Sequence, residues 1–256
     1  MSPILEYVYQ VTGIDTAYIL VGMLLLLVVF GGGLCSALYP LVNGAILNQQ
    51  QEILVQAFQN REKAELSSQP VAPKDALRAA MEAYNRRIFE EGQSGFCSAE
   101  AYETPSFLLT DYGREDEVFG VISIPRLQIE MPMYLGSSKE NLALGAAHLS
   151  QTSLPIGGAN SNCVIAGHRG WRGGAYFRDL PKLKPGDQVV ITNLWETLTY
   201  EVQQVQEVAA QKSKVLMIQP EQDLLTLMTC AYGTNGVKNR YLVICCRVEE
   251  RSANTN

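Results

Sequence analysis

Cys230 ends the run Leu224-Leu225-Thr226-Leu227-Met228-Thr229-Cys230, and Arg240 follows ten residues later. The chain holds only two histidines, and one of them, His168, lies in Val164-Ile165-Ala166-Gly167-His168-Arg169-Gly170. A thiol at the end of an apolar β-like run is placed to leave the core. It becomes a nucleophile where its thiolate is favoured or a base stands beside it. Histidine titrates in the range needed to take the thiol proton and later protonate a leaving amine. His168 has glycines on both sides and follows a short buried run, so it is the candidate acid/base. His148, in Gly145-Ala146-Ala147-His148-Leu149, has the surroundings of a packed or hydrogen-bonding residue. Arg240 opens the strand after Cys230. Consecutive strands usually pair, which returns Arg240 to the cysteine's end of the sheet. A guanidinium there favours a thiolate or binds an oxyanion.

The elements that must hold these residues are mostly short strands. Val118–Pro125, Gln128–Tyr134, Cys163–Gly167, Gln188–Thr192, Thr197–Val202 with its continuation to Val208, Leu224–Thr229 and Tyr241–Val248 are β-like runs separated by turn signals. Little helix is interleaved with them. The expected fold is mainly β, a barrel or sandwich of about 130 residues. Before it, Leu77, Ala80, Met81, Tyr84 and Ile88 recur at helical spacing, with Asp75 as a possible cap. Arg78, Glu82, Arg86 and Arg87 fall on the other, solvated face. Gly92 to Glu117 has no clean period.

Residues Thr16 to Gln51 contain no Asp, Glu, Lys or Arg. Within them, the 22 positions Ala17–Leu38 are long enough to cross a bilayer core, reaching roughly 33 Å at a helical rise of about 1.5 Å per residue. No basic segment precedes this stretch, so a retained anchor is favoured over a cleaved signal peptide. The nearest cations, Arg61 and Lys63, leave its orientation poorly encoded. A juxtamembrane helix through Ile53, Leu54, Ala57 and Phe58 is expected to follow, broken at Ser67–Pro73. Net charge is −6 with no basic stripe, which argues against nucleic acid as a partner. The six cysteines show no zinc spacing, so no metal or cofactor is expected, and most of them read as small buried apolar residues. A disulfide involving Cys97, Cys163 or Cys245 stays open.

Leu225-Thr226-Leu227-Met228-Thr229-Cys230 resembles the TLxTC signature of the sortases, with every defined position matched. Leu149–Gly158 followed by Val164–Gly170, Ile124-Pro125-Arg126-Leu127 and Met131–Gly136 are similar to the class C, pilus-assembling members. The resemblance spans about residues 75 to 248. It implies an eight-stranded β-barrel and a site of Cys230, His168 and Arg240. It also implies cleavage of an LPxTG-like sorting signal between Thr and Gly through a thioacyl intermediate, passed to an amine. In a pilus-type member that amine is a pilin lysine; in a wall-anchoring member it is a cell-wall precursor. The implied partners are secreted pilins or surface proteins bearing such a signal, and the catalytic domain is expected outside a bacterial membrane. Thiol hydrolysis and a non-catalytic membrane-tethered β scaffold are the alternatives.

On this reading residues 1–16 are an N-terminal segment, 17–39 the anchor, 40–91 juxtamembrane and N-terminal helices, 92–117 a possible lid loop, 118–250 the barrel and 251–256 a tail. Gln211–Asp223 is the expected signal-recognition loop. Thr229, His148 and Trp171 are candidates for substrate contacts. The chain departs from the class in three places. It has no Asp-Pro-aromatic lid triplet; Ser94-Gly95-Phe96 stands nearest, with Phe96 the lid candidate. The Ala231–Asn239 loop is slightly long and lacks a proline, with Lys238 a weaker alternative cation. The C-terminus carries no second apolar span.

Overall fold

Thirty-six consecutive uncharged residues favour a helix that satisfies its own backbone, and that helix is the longest element of the fold. The computed structural model describes residues 7, 10, 16–67, 72–97, 104–114, 118–210, 213–232 and 238–248. Helix α1 (Thr16–Ser67) runs unbroken through Pro40. The expected separate span and juxtamembrane helix are therefore one element. Pro40 removes a single intrahelical bond, and the downstream turns are sustained by docking: Val55 and Phe58 enter the main core, and Gln51 Nε2 donates to the Leu144 carbonyl at 3.0 Å. The most apolar window of α1 buries nothing against the protein and is long enough to cross a membrane.

Helix α2 (Ala72–Glu90) buries Leu77, Met81, Tyr84 and Ile88, as the helical spacing predicts. Asp75 lies inside its first turn rather than before it, where its charge still suits the helix dipole. Asn85 pins the helix to the barrel through the Leu154 backbone, accepting from its N–H at 2.7 Å and donating to its carbonyl at 3.3 Å.

The barrel comprises β1 (Val118–Ile124), β2 (Ile129–Leu135), β3 (Ala146–His148), β4 (Ser161–Ala166), β5 (Gln188–Thr192), β6 (Thr197–Ala209), β7 (Asp223–Tyr232) and β8 (Lys238–Arg247). It closes in the order β1-β2-β3-β4-β7-β8-β6-β5. The β2–β3 and β4–β7 pairs are parallel and the others antiparallel. The three-residue β3 and helix α3 (Lys139–Leu144) escape sequence periodicity because neither completes two repeats. Closure leaves no free edge on these strands.

Side chains alternate across the sheet. Leu225 and Leu227 of β7 point into the main core with Ile165, Val243 and Cys245. Met228, Val164, Ala166 and Leu242 point outward and form a second apolar cluster with Leu149, Leu216 and Phe96. The described part of the irregular 92–117 segment is therefore packed. Phe96 sits on this outer shelf, and Phe107 stacks on Tyr112 with centroids 5.2 Å apart. Short 3-10 turns at Ser94–Cys97 and Leu109–Tyr112 carry no period that sequence could display. Cys163 and Cys245 are buried free thiols, which closes the disulfide option for them. The side chain of Cys97 lies outside the described residues, as do Lys238's side chain and residues 233–237 of the loop after Cys230.

Candidate active site

Strand pairing alone brings the three chemical residues together. In the parallel β4–β7 pair Ala166 lies opposite Met228, so His168 and Cys230 each follow two residues later at the same end of the sheet. The Gly167 N–H donates to the Met228 carbonyl at 3.1 Å, and the Thr229 hydroxyl donates to the Gly167 carbonyl at 2.8 Å. In the antiparallel β7–β8 pair Cys230 lies opposite Arg240. Arg240 Nη1 is 3.7 Å from Cys230 Sγ. His168, Cys230 and Arg240 line one cavity of about 270 Å³.

Cys230 extends the outward row of Thr226 and Met228, so its thiol is exposed while its neighbour Thr229 is buried. The cavity is mostly apolar, with Leu142, Leu149, Ala166 and Met228 among its walls. No carboxylate is among the described residues lining it. Lys139 adds a second cation. Such a site suits a reaction that builds negative charge beside the sulfur, since the Arg240 guanidinium stands next to it and no carboxylate among the described lining residues opposes it.

His168 lies on the loop from β4 to β5. Burial holds its imidazole below the ordinary histidine value, so the neutral ring, able to accept a proton, is favoured. Its ring is oriented by aromatic groups. Trp171 stacks on it with centroids 4.7 Å apart and planes 17° apart, and Tyr176 meets it edge-on at 6.0 Å. The Phe177 N–H donates to the His168 carbonyl at 2.9 Å. Gly167 is required by packing, because a Cβ there would stand 2.6 Å from the Phe177 ring.

The other candidates have different surroundings. Thr229 lines the cavity, yet its hydroxyl is committed to the Gly167 carbonyl and ties Cys230's strand to His168's loop. Trp171 contacts His168 and is not among the cavity's lining residues. Phe96 shares the outer shelf with Met228 and likewise does not line the cavity. Its segment is held by Gln93, which donates to the Gln151 carbonyl at 3.2 Å and accepts from the Ile218 N–H at 2.6 Å. The described part of 211–223 includes a 3-10 turn, Ser213–Leu216, whose Leu216 packs on the same shelf. Lys139, Ser137 and Leu142 went unnoticed in the sequence. The available signal was Ser138, which caps α3 by accepting from the Asn141 N–H at 3.1 Å.

His148 is buried at the end of β3, away from the cavity lining. Its Nε2 lies 3.2 Å from the Thr152 carbonyl oxygen and 3.1 Å from Thr152 Oγ1. Burial depresses its pKa to about 4. The folded state therefore binds fewer protons here than the unfolded chain. The stabilisation is fully present above the unfolded value near 6.5 and is lost as pH falls from there toward 4. The expected cost is on the order of 3 kcal/mol across that window. Chemical denaturation at pH 7 and pH 4.5 should show a loss in the wild type that is much smaller in His148→Gln. Equal losses would remove His148 as the cause.

Comparison with known proteins agrees with this geometry. The family model described as Sortase domain matches residues 122–248. Sortase A of Bacillus anthracis is 29% identical over 165 residues, which cover 64% of this chain and 76% of that protein. Among solved structures, a pilus-related sortase C of Group B Streptococcus is 31% identical with a TM-score of 0.64, over 77% of this chain and 97% of that one. Sortase C-1 from Streptococcus pneumoniae is 30% identical with a TM-score of 0.65, over 77% and 98%. With an eight-stranded barrel and a cysteine, a histidine and an arginine converging at one end of it, the chain belongs to the sortase family of cysteine transpeptidases.

Proposed function

We propose that this chain is a pilus-type sortase. It cleaves an LPxTG-like sorting signal between Thr and Gly and joins the threonine to an amine, with a pilin lysine as the acceptor. The observation that carries the reading is the Arg240 guanidinium 3.7 Å from the Cys230 sulfur, in the cavity shared with His168. The Cys230 proton passes to His168, and the sulfur attacks the threonine carbonyl carbon. The C–N bond to glycine breaks as His168 returns its proton to the departing amine. A thioacyl group remains on Cys230. The incoming amine then attacks the same carbon, His168 takes its proton, and the thiolate leaves and is reprotonated. Arg240 donates hydrogen bonds to the carbonyl oxygen as it becomes an oxyanion. Phe96 and Leu216, on the shelf that continues from Met228, occupy the apolar track suited to the signal's leucine and proline. Phe96 thereby acts as a lid on the track rather than on the thiol. Helix α1 crosses the membrane once, with the barrel on the outer side.

The full chain, incubated with an LPxTG-like peptide and a lysine-containing peptide, should yield the new amide, detected by mass spectrometry. Release of free acid alone would favour the hydrolase reading. A cell-wall precursor analogue accepted in preference to lysine would favour wall anchoring. Arg240→Ala should lower kcat by about 10²–10³ fold, the usual cost of an oxyanion donor. Arg240→Lys should recover only part of that, because an ammonium lacks the guanidinium fork.

A further inference from the structure

The loop that carries His168 is also where the barrel first touches α1. Gly44 is the first buried residue along that helix, among the described residues. A Cβ on Gly44 would stand 2.6 Å from the Gly173 carbonyl oxygen, and one on Gly173, whose φ is +92°, would overlap the Pro40 carbonyl. Asn43 Nδ2 donates to the Arg172 carbonyl. Two glycines thus let the loop and the helix meet backbone to backbone.

This contact sets a height above the bilayer. Gly44 comes six residues after Leu38, the end of the apolar span. At about 1.5 Å per residue that is roughly 9 Å along the helix axis, just outside a headgroup layer of about 5–8 Å, while Pro40, which also meets Gly173, stands at about 3 Å and so within it. No linker intervenes, since α1 continues without a break into its dock on the barrel. Arg172 and Gly173 lie level with Pro40–Gly44, while Tyr176 and Asp179 lie higher, around a cavity with Asn48, Gln51 and Val55 of α1.

The loop's composition fits that level. Arg169, Arg172, Arg178 and Lys182 face a single acid, Asp179, between residues 169 and 182, in a chain of net charge −6. Trp171 is 40% exposed. Outside α1 the exposed large apolar side chains among the described residues are Tyr7, Leu108 and Trp171. The Arg172 guanidinium lies 5.5 Å from the Trp171 ring centroid. A tryptophan with arginines beside it is the usual composition of a membrane-interface anchor, and juxtamembrane cations are drawn to anionic lipid.

We propose that the loop Arg169–Arg178 is a lipid-binding element that seats Trp171 and Arg172 in the anionic headgroup layer of the membrane α1 spans. The ring that contacts lipid is the ring stacked on His168, so the mouth of the active site opens at the membrane surface. The inference rests on the reading that α1 crosses the bilayer, and it is independent of which signal or amine the enzyme uses.

The test uses the full chain in vesicles of phosphatidylcholine, with and without phosphatidylglycerol, and with lipids brominated high on the acyl chain. Tryptophan emission is compared between wild type and Trp171→Phe; the difference isolates Trp171 from Trp195. The Trp171 component should lose intensity in brominated vesicles, more so with phosphatidylglycerol. Arg172→Gln with Arg178→Gln should remove that extra loss. Trp195→Phe provides an independent single-tryptophan reporter that must agree. A chain that floats with the vesicles and cleaves peptide, yet shows equal quenching with and without Trp171, overturns the loop proposal alone. A chain that does not float overturns the spanning helix and this inference with it.

Discussion

Cys230→Ala should abolish both the covalent peptide adduct and the amide product, a loss of about 10⁴-fold or more, as for other removed nucleophiles. The thiol is exposed on the outer row of β7, so its loss opens no cavity in the core. Stability should change by no more than about 0.5 kcal/mol. Mass spectrometry of the enzyme after exposure to peptide, alongside a thermal melt, tests both halves. The buried cysteines provide the contrast. Burial pushes the thiols of Cys163 and Cys245 up, so a small alkylating reagent should leave them unmodified while labelling Cys230. Cys163→Ala and Cys245→Ala should weaken the fold and spare the chemistry. A Cys230→Ala enzyme that still forms amide would end the thioacyl reading.

His168→Gln should cost about 10²–10⁴ fold on a peptide substrate, the range for a positioned acid/base. The loss should depend on the leaving group. An amide nitrogen must be protonated as the C–N bond breaks, whereas an ester oxygen at the same position leaves with less help. An LPxT-ester analogue should therefore lose much less activity than the amide. Equal losses on both substrates would leave His168 without its acid role. In the wild type, the limb of the kcat/KM profile that belongs to His168 should lie below the ordinary histidine value, because burial disfavours the imidazolium. Activity on that limb falls as pH drops through it, since the protonated ring cannot accept the thiol proton.

The legible parts of this molecule are those with a local signal. The spacing of Leu77, Met81, Tyr84 and Ile88 marked the buried face of α2, β-like runs between turn signals marked β1, β2 and β4 to β8, and alternation was clear in β2 and β6. Within β8, Cys245 is buried and its neighbour Cys246 half-buried, the two faces of one strand. Pairing of consecutive strands was enough to place Arg240 opposite Cys230. Where the local signal was short, reading failed. β3 and α3 are three and six residues long, and Lys139 and Leu142 of the cavity were missed with them. The span and the juxtamembrane helix after it, expected as separate elements, are one, because packing farther along sustains the helix through Pro40.

The amino-acid sequence by itself determined which residues could do chemistry, which stretches were strands, and that one helix was long and apolar enough for a bilayer. These follow from side-chain type and from periods of 2 and 3.6 residues, which belong to each segment alone. Only the tertiary structure decided that β4 runs parallel to β7, which brings Gly167 to Thr229 across 62 positions of chain and His168 to the cysteine's end of the sheet. It alone decided that Trp171 would stack on His168 and that Gly173 would meet Gly44. A choice of strand partner is settled by closing the barrel and burying both sides of its wall at once, and that energy is shared among segments, so no one of them records it.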